Sequence, residues 1–375
     1  MRRRAILVGF CIAGLMAGAA VPAQAERTLI TKNAVNTESV PGGLEGACGV
    51  ALVGEKIYVS DYYHHAIAVF DRGTYLERIA GNPVNGPCQL ATSAGGILYA
   101  NDWHESVSRV LPSSLEFDSD ESTGVAVDQA NGRVYVNDRT YVAVYQPSGA
   151  PVLGEGAEPL RIGLGTLGDG YGIAVAGGKV YVPDAADSTV KVYEPDVDPV
   201  NPSAVIDGGA TPQGRFVSLV DGAVAVDPTN GHLVVLDNLQ PGFEFPQGAI
   251  EEFDAAGNFL GQLSQKVIHG GPGGLAFDGG ILYATSGNSE ESAVFEFGAY
   301  TGGGSPAIAS SNPQAESFAA ASTGVDDPSS IAALPARVGA GGKRPEARRR
   351  VLRFRLDNGG VGGLARARSL GGVGR

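Results

Sequence analysis

A motif of the form Gly-x-[Ile/Val/Leu]-Tyr-Val-x-Asp recurs along this chain at intervals of 36 to 53 residues. It reads Glu55-Lys56-Ile57-Tyr58-Val59-Ser60-Asp61, Gly96-Ile97-Leu98-Tyr99-Ala100-Asn101-Asp102, Gly132-Arg133-Val134-Tyr135-Val136-Asn137-Asp138 and Gly178-Lys179-Val180-Tyr181-Val182-Pro183-Asp184. Weaker copies follow at Gly231–Asp237 and at Gly280–Ser286, the last without its Asp. Six copies at such spacing mean an array of one small unit, each too short to bury its own apolar surface without its neighbours.

Each unit parses into strands. A short apolar run (strand A) comes first, as in Gly49-Val50-Ala51-Leu52, Gly124-Val125-Ala126-Val127 or Gly172-Ile173-Ala174-Val175. A turn rich in Asp, Asn and Gly follows, of the kind that closes hairpins. The Tyr motif is strand B. Val-x-Val-Tyr runs such as Val142–Tyr145 and Val190–Tyr193 are strand C, and a weaker strand D follows, as at Tyr75–Ile79. Four short antiparallel strands per unit make a propeller blade. The expected fold is all-β, a six-bladed β-propeller of four-stranded antiparallel blades. The sixth unit lacks a strand D, which Arg27–Thr31 is expected to supply, closing the ring.

The ends of the chain differ from the repeats. Arg2-Arg3-Arg4, an apolar run from Ala5 to Ala20 and Ala23-Gln24-Ala25 are the three parts of a secretory signal peptide. Residues 1–25 are thus expected to be removed, 26–300 to form the propeller in a secreted, extracytoplasmic protein, and 301–375 to be a low-complexity, disordered tail. No later stretch is apolar enough to span a bilayer. The net charge of −13 is uneven, because the segment from Lys343 to Arg375 is basic and the repeats are strongly acidic. An acidic globular region is a poor partner for nucleic-acid phosphates. Of three cysteines, Cys11 leaves with the signal. Cys48 and Cys88 occupy equivalent places in units one and two, either as buried small residues or as a disulfide that an oxidising compartment permits.

The pattern Gly-Val-Ala-Val-Asp-x-x-x-Gly-x-Val-Tyr-Val-x-Asp followed by Val-x-Val-Tyr resembles the NHL-repeat family of six-bladed propellers, over roughly residues 26 to 300. That resemblance implies the architecture and a leaning toward binding. A more distant resemblance is to SMP-30/gluconolactonase-like propellers. Glu45-Gly46 before strand A of unit one is similar to their metal-binding Glu-Gly, and Asp169-Gly170 and Asp221-Gly222 resemble their later Asp-Gly. If that resemblance holds, the carboxylates would hold an ion for lactone or ester hydrolysis, although Ala47 stands where that family has Pro.

Alternating strand directions put the residues entering strand A and those leaving strand B on one face of the disc. The Asp after each strand B (Asp61, Asp102, Asp138, Asp184, Asp237) reads as a structural acceptor for turn backbone. Entering strand A are Glu45, Asn85, Asp120, Glu121, Asp169 and Asp221. Oxygen donors converging there suit Ca²⁺, with Glu45, Asn85, Asp169 and Asp221 as the metal candidates, or form only a solvated acidic rim. Tyr62-Tyr63-His64-His65 and Trp103-His104 are equivalent loops of the first two blades. They hold the chain's single Trp and three of its five His. Rigid aromatic loops favour ligand recognition, though inter-blade packing is the alternative; a His64/His65/His104 transition-metal site lacks diagnostic spacing. A long connection in unit five adds Phe243 and Phe245 to the ligand-binding candidates. No Gly-x-Ser-x-Gly, Gly-Lys-Ser/Thr or His-Glu-x-x-His motif is present. The expected role is binding of a protein, glycan or small-molecule ligand by a monomer. A Ca-type metal-dependent lactonase or esterase is the alternative.

Overall fold

A computed structural model describes residues 27–103, 105–118, 121–239, 248–263, 273–287 and 292–301, apart from the side chains of 31–34. The signal segment, the tail beyond 301, His104, Asp120, Phe243 and Phe245 lie outside the described residues. Six antiparallel four-stranded sheets form six blades. Blade one comprises Val50–Val53, Lys56–Asp61, Ala66–Asp71 and Thr74–Ala80. Blade two comprises Pro87–Thr92, Leu98–Asp102, Val107–Leu111 and Leu115–Asp118, and blade three Gly124–Val127, Val134–Asn137, Val142–Tyr145 and Arg161–Ile162. Blade four runs Ala174–Ala176, Lys179–Asp184, Thr189–Tyr193 and Ala204–Ile206; blade five runs Val224–Val226, Leu233–Asn238, Gly248–Phe253 and Phe259–Gln262.

Blade six contains Leu275–Asp278, Ile281–Ser286 and Ala293–Phe297, and its outer strand is the N-terminal segment Leu29–Asn36. The register is Leu29↔Phe297, Val35↔Val294 and Asn36↔Ala293. The expected closing strand therefore forms, longer than the five residues first assigned to it and broken by irregular pairing. Every strand A touches the strand A of both neighbouring blades, so the ring is closed on itself around an axis.

Period-two alternation explains the packing. In blade one, Ile57, Val59, Ala68 and Phe70 face blade six and pack with Val294 and Val35. Tyr58, Ile67 and Val69 face the other way, onto Leu90, Leu98, Ala100 and Val110 of blade two. The same alternation fills the remaining seams, giving six apolar clusters for six seams. A strand buried on both faces reads as a continuous Val/Ile/Tyr run, which is why the Tyr motif was visible in the sequence. Each seam holds large fully buried side chains such as Phe70 and Tyr99; truncating one to Ala costs about 3–5 kcal/mol.

The small residues of strand A are required by crowding at the axis. A Cβ on Gly124 would lie 2.8 Å from the Gly172 backbone of the next blade. One on Gly274 would lie 2.6 Å from Gly49 Cα. Toward the A-to-B turns the axis widens into a cavity of about 480 Å³, lined by strand A residues of all six blades and by turn residues including Asp128, Gln129 and Asp227. Among the described residues no helix is long and apolar enough to cross a membrane.

Candidate functional site

The strand-B aspartates are interior staples. All five are buried. Asp61 accepts the Glu45 amide at 2.9 Å, and Asp102 accepts the Asn85 amide at 3.1 Å. Asp184 accepts the Gly168 and Asp169 amides at 2.8 Å, and Asp237 accepts those of Val217 and Ser218 at 3.0 and 2.9 Å. In four blades, therefore, the carboxylate ending strand B fixes the segment that enters strand A. Their charges are managed differently. Burial opposes ionisation of Asp184, but Lys191 at 2.5 Å and the two amides hold its carboxyl below the usual range. Asp102 has no such cation; burial pushes it up to about 7, although the Asn85 amide works in the opposite direction.

In blades one to three the residue before the Asp ties neighbouring blades together, a role sequence reading missed. Ser60 donates to the Cys88 carbonyl. Asn101 donates to the Ser122 carbonyl at 2.9 Å, and Asn137 to the Gly172 carbonyl at 2.8 Å. The repeated Ser/Asn before Asp was the available signal.

The first aromatic loop is divided between packing and exposure. Tyr62 is half-buried, its ring over Gly86 and perpendicular to Tyr63 at 5.1 Å between centroids. Tyr63 is exposed. His64 Nδ1 is 2.7 Å from Asp61, which also accepts a 2.8 Å hydrogen bond from Arg78. His65 is exposed in the left-handed conformation that ends this turn. His64 is thus already partnered, and among the described residues no three His, Cys, Asp or Glu side chains form a group that could hold a metal ion. Glu45, Asp169 and Asp221 accordingly do not form a shared carboxylate cage. Asn85 is exposed and points its amide toward Glu105 at 3.5 Å.

Trp103 goes elsewhere. Its ring lies 6.0 Å from that of Tyr171, tilted by 38°. Trp103 follows strand B of blade two and Tyr171 precedes strand A of blade four, so the pair reaches across blade three. Arg139, leaving strand B of blade three, sits 5.9 Å over the Tyr171 ring. It pairs with Asp169 at 2.7 Å and with Glu121 at 3.3 Å. Those pairs outweigh burial and raise the Arg139 pKa. Asp221 of blade five adds a third carboxylate: burial, reinforced by the Asp169 charge, pushes it up to about 6. Its negative charge and those of Asp169 and Glu121 also act on the buried Tyr171 hydroxyl, whose pKa is raised first by burial. Trp103, Asp169 and Asp221 were among the expected site residues. Arg139 and Tyr171 were not, because nothing in the repeat marks them until blades two to five are brought together.

Cys48 and Cys88 lie in neighbouring blades where the chain enters strand A. Their Cα atoms are 5.0 Å apart, a separation that a disulfide spans.

No protein-family profile matches the chain, and no curated protein matches it. Solved structures do. A candidate gluconolactonase aligns at TM-score 0.50 with 15% identity, covering 74% of this chain and 93% of that one. A virginiamycin B lyase from Staphylococcus aureus aligns at TM-score 0.45 with 11% identity, over 68% and 94% of the two chains. A streptogramin B lyase aligns at TM-score 0.44 with 10% identity, over 72% and 96%. The gluconolactonase likeness establishes a shared fold, and a shared fold leaves the activity open: this chain is a six-bladed β-propeller with a gluconolactonase-like structural neighbour.

Proposed function

We propose that this chain is an exported binding propeller of the NHL type that recognises a ligand on the face where the chain enters strand A and leaves strand B. The observation that carries this reading is the convergence of Trp103, Tyr171, Arg139, Glu121, Asp169 and Asp221 from four consecutive blades. Aromatic rings held by rigid strands, with a few charged groups beside them, are the common composition of recognition sites. Tyr62, Tyr63 and His65 extend the same face over blades one and two. In this reading residues 1–25 direct export, 26–300 form the binding domain and 301–375 form a tail with a basic end. A Cys48–Cys88 disulfide suits the oxidising compartment that export implies.

Capture of partners from an extracellular extract tests the proposal. Trp103→Ala and Tyr62→Ala each weaken capture if this face binds, and unchanged capture by both variants refutes the site. The metal-dependent lactonase reading has a fold likeness behind it, whereas among the described residues no three His, Cys, Asp or Glu side chains gather into one group. Turnover of a lactone panel that appears with Ca²⁺, Mn²⁺ or Zn²⁺ would favour it over a binding role.

A further inference from the structure

We propose that the axial cavity on the A-to-B turn side is a small-molecule site that takes an uncharged, largely apolar compound carrying a hydrogen-bond donor, such as an aromatic alcohol or arylamine. It lies on the face opposite Trp103 and Tyr171 and does not depend on the binding role proposed for that face.

The cavity is a blind pit. Its wall begins at Val50, Leu90, Val125, Ile173, Val224 and Leu275, each the residue just past one crowded layer of the ring. In that layer a Cβ on Gly49, Gly124, Gly172 or Gly274 would come too close to neighbouring backbone. Gln89 takes the place in blade two, and its Nε2 donates to the Gly273 carbonyl at 3.0 Å, reaching past blade one to blade six. The layer and this bond close the pit toward the Trp103 face. Its volume of about 480 Å³ lies within the range of pockets that enclose small organic ligands.

The wall selects the chemistry. Its side chains are mainly Val, Leu, Ile, Ala and Phe277, and none of those lining it is Lys, Arg or His. The two carboxylates at the rim are already engaged. Asp128 accepts the Ala130 amide at 2.9 Å and the Asn131 side chain at 2.6 Å. Asp227 accepts Arg27 at 2.5 Å and the Thr229 amide and hydroxyl at 2.8 and 2.6 Å. A charged compound would lose its hydration here without gaining an open partner.

Hydrogen-bonding capacity is uneven round the pit. Strand A ends each sheet and pairs with strand B on one edge only, so alternate backbone groups face the axis. In blades one to three these carbonyls are taken by side chains. Thr92 Oγ1 donates to Leu52 at 2.8 Å, and Gln129 Nε2 donates to Thr92 at 2.7 Å and Val127 at 3.3 Å. At the places of Thr92 and Gln129, blades four to six carry Val175 and Gly177, Val226 and Pro228, and Phe277 and Gly279. None of these side chains can donate, so acceptors stay open on that side. A neutral donor on an apolar body matches both parts of the wall.

N-phenyl-1-naphthylamine, an uncharged arylamine whose emission rises in apolar surroundings, is titrated into the full chain. Its sulfonated analogue, 8-anilino-1-naphthalenesulfonate, is titrated in parallel. A saturable rise with the amine and an affinity at least about tenfold weaker for the sulfonate are expected. 2-Naphthol should displace the amine about tenfold better than 2-methoxynaphthalene, which lacks the donor. Ala176, half-buried in the wall, and Ala130, exposed at the rim, are the blocking positions. Ala176→Trp and Ala130→Trp should each weaken binding about tenfold by filling the opening; the exposed Ala130 site keeps the test valid if the wall variant fails to fold. No saturable response, equal affinity for the sulfonate, equal displacement by the ether, or unchanged affinity in the folded Trp variants overturns the assignment.

Discussion

Replacing Arg27 with Ala should open the propeller at one seam. Arg27 precedes the strand that closes blade six, and its side chain is fully buried. Its Nε and Nη2 donate to Glu252 at 3.1 and 3.0 Å, Nη2 donates to Asp227 at 2.5 Å, and Nη1 donates to the Gly280 carbonyl at 2.7 Å. The guanidinium also lies 4.9 Å from the Phe277 ring centroid. Asp227 and Glu252 belong to blade five, Phe277 and Gly280 to blade six, so one side chain joins the two blades and the N-terminal strand. His232, wholly buried, contacts Glu252 at 2.9 Å and completes the group. Removing the arginine leaves two carboxylates without their principal cation in an interior site. Breaking a buried pair in this way costs about 3–5 kcal/mol, which lowers the thermal midpoint by roughly 6–20 °C for a domain of this size. Urea denaturation gives the free energy, and hydrogen exchange locates the loss, which should concentrate on 29–36 and 293–297. Arg27→Lys keeps the charge and loses the fork, so it should fall between wild type and Arg27→Ala. The combined Arg27→Met, Asp227→Asn, Glu252→Gln variant should recover much of the loss, because no unpaired charge remains. A loss below about 1 kcal/mol in Arg27→Ala, the size typical of an exposed pair, would refute the closure role.

Two further outcomes follow from the interior carboxyls and thiols. Glu251 is fully buried, accepts Gln262 at 2.6 Å and is pushed by burial up to about 7. A raised carboxyl pKa means that the folded state holds the proton more tightly, so the stability it contributes is complete below the unfolded value and lost as pH rises through about 7. Glu251→Gln should therefore gain stability relative to wild type between pH 5 and 8 as measured by urea midpoints, and a pH-independent difference would contradict this assignment. For the cysteines, thiol titration of denatured mature protein should find none free without reductant and two with it; two free thiols at the outset would rule out the bond.

The repeat made the fold legible because both faces of each blade are buried. That burial demands unbroken Val/Ile/Tyr runs, and such runs are visible without coordinates. Strand A was legible for a related reason, since only small residues fit where Gly124 meets Gly172. The closing strand was placed from the missing partner in unit six. What the sequence concealed depends on distant parts of the chain meeting. Arg27 and Glu252 are 225 residues apart, and Trp103 meets Tyr171 only because blade three curves between them. No local pattern distinguishes Arg139 from any exposed arginine until Asp169 and Glu121 are seen around it. Conversely, the acidic residues entering strand A looked like one ligand set. Their separate engagements, Asp169 with Arg139 and Asn85 with Glu105, depend on side-chain direction, which strand alternation does not specify.

The central claim is that the captured partner is held on the Trp103 and Tyr171 face built by blades two to five, not at the axial cavity of the opposite face. Hydrogen exchange of the full chain with and without a saturating partner captured from the extracellular extract tests it most directly. Added protection is expected at 121–123, 169–172 and 219–222. Protection confined to the A-to-B turns at 128–131, 177–178 and 228–231, which surround the cavity, would contradict it.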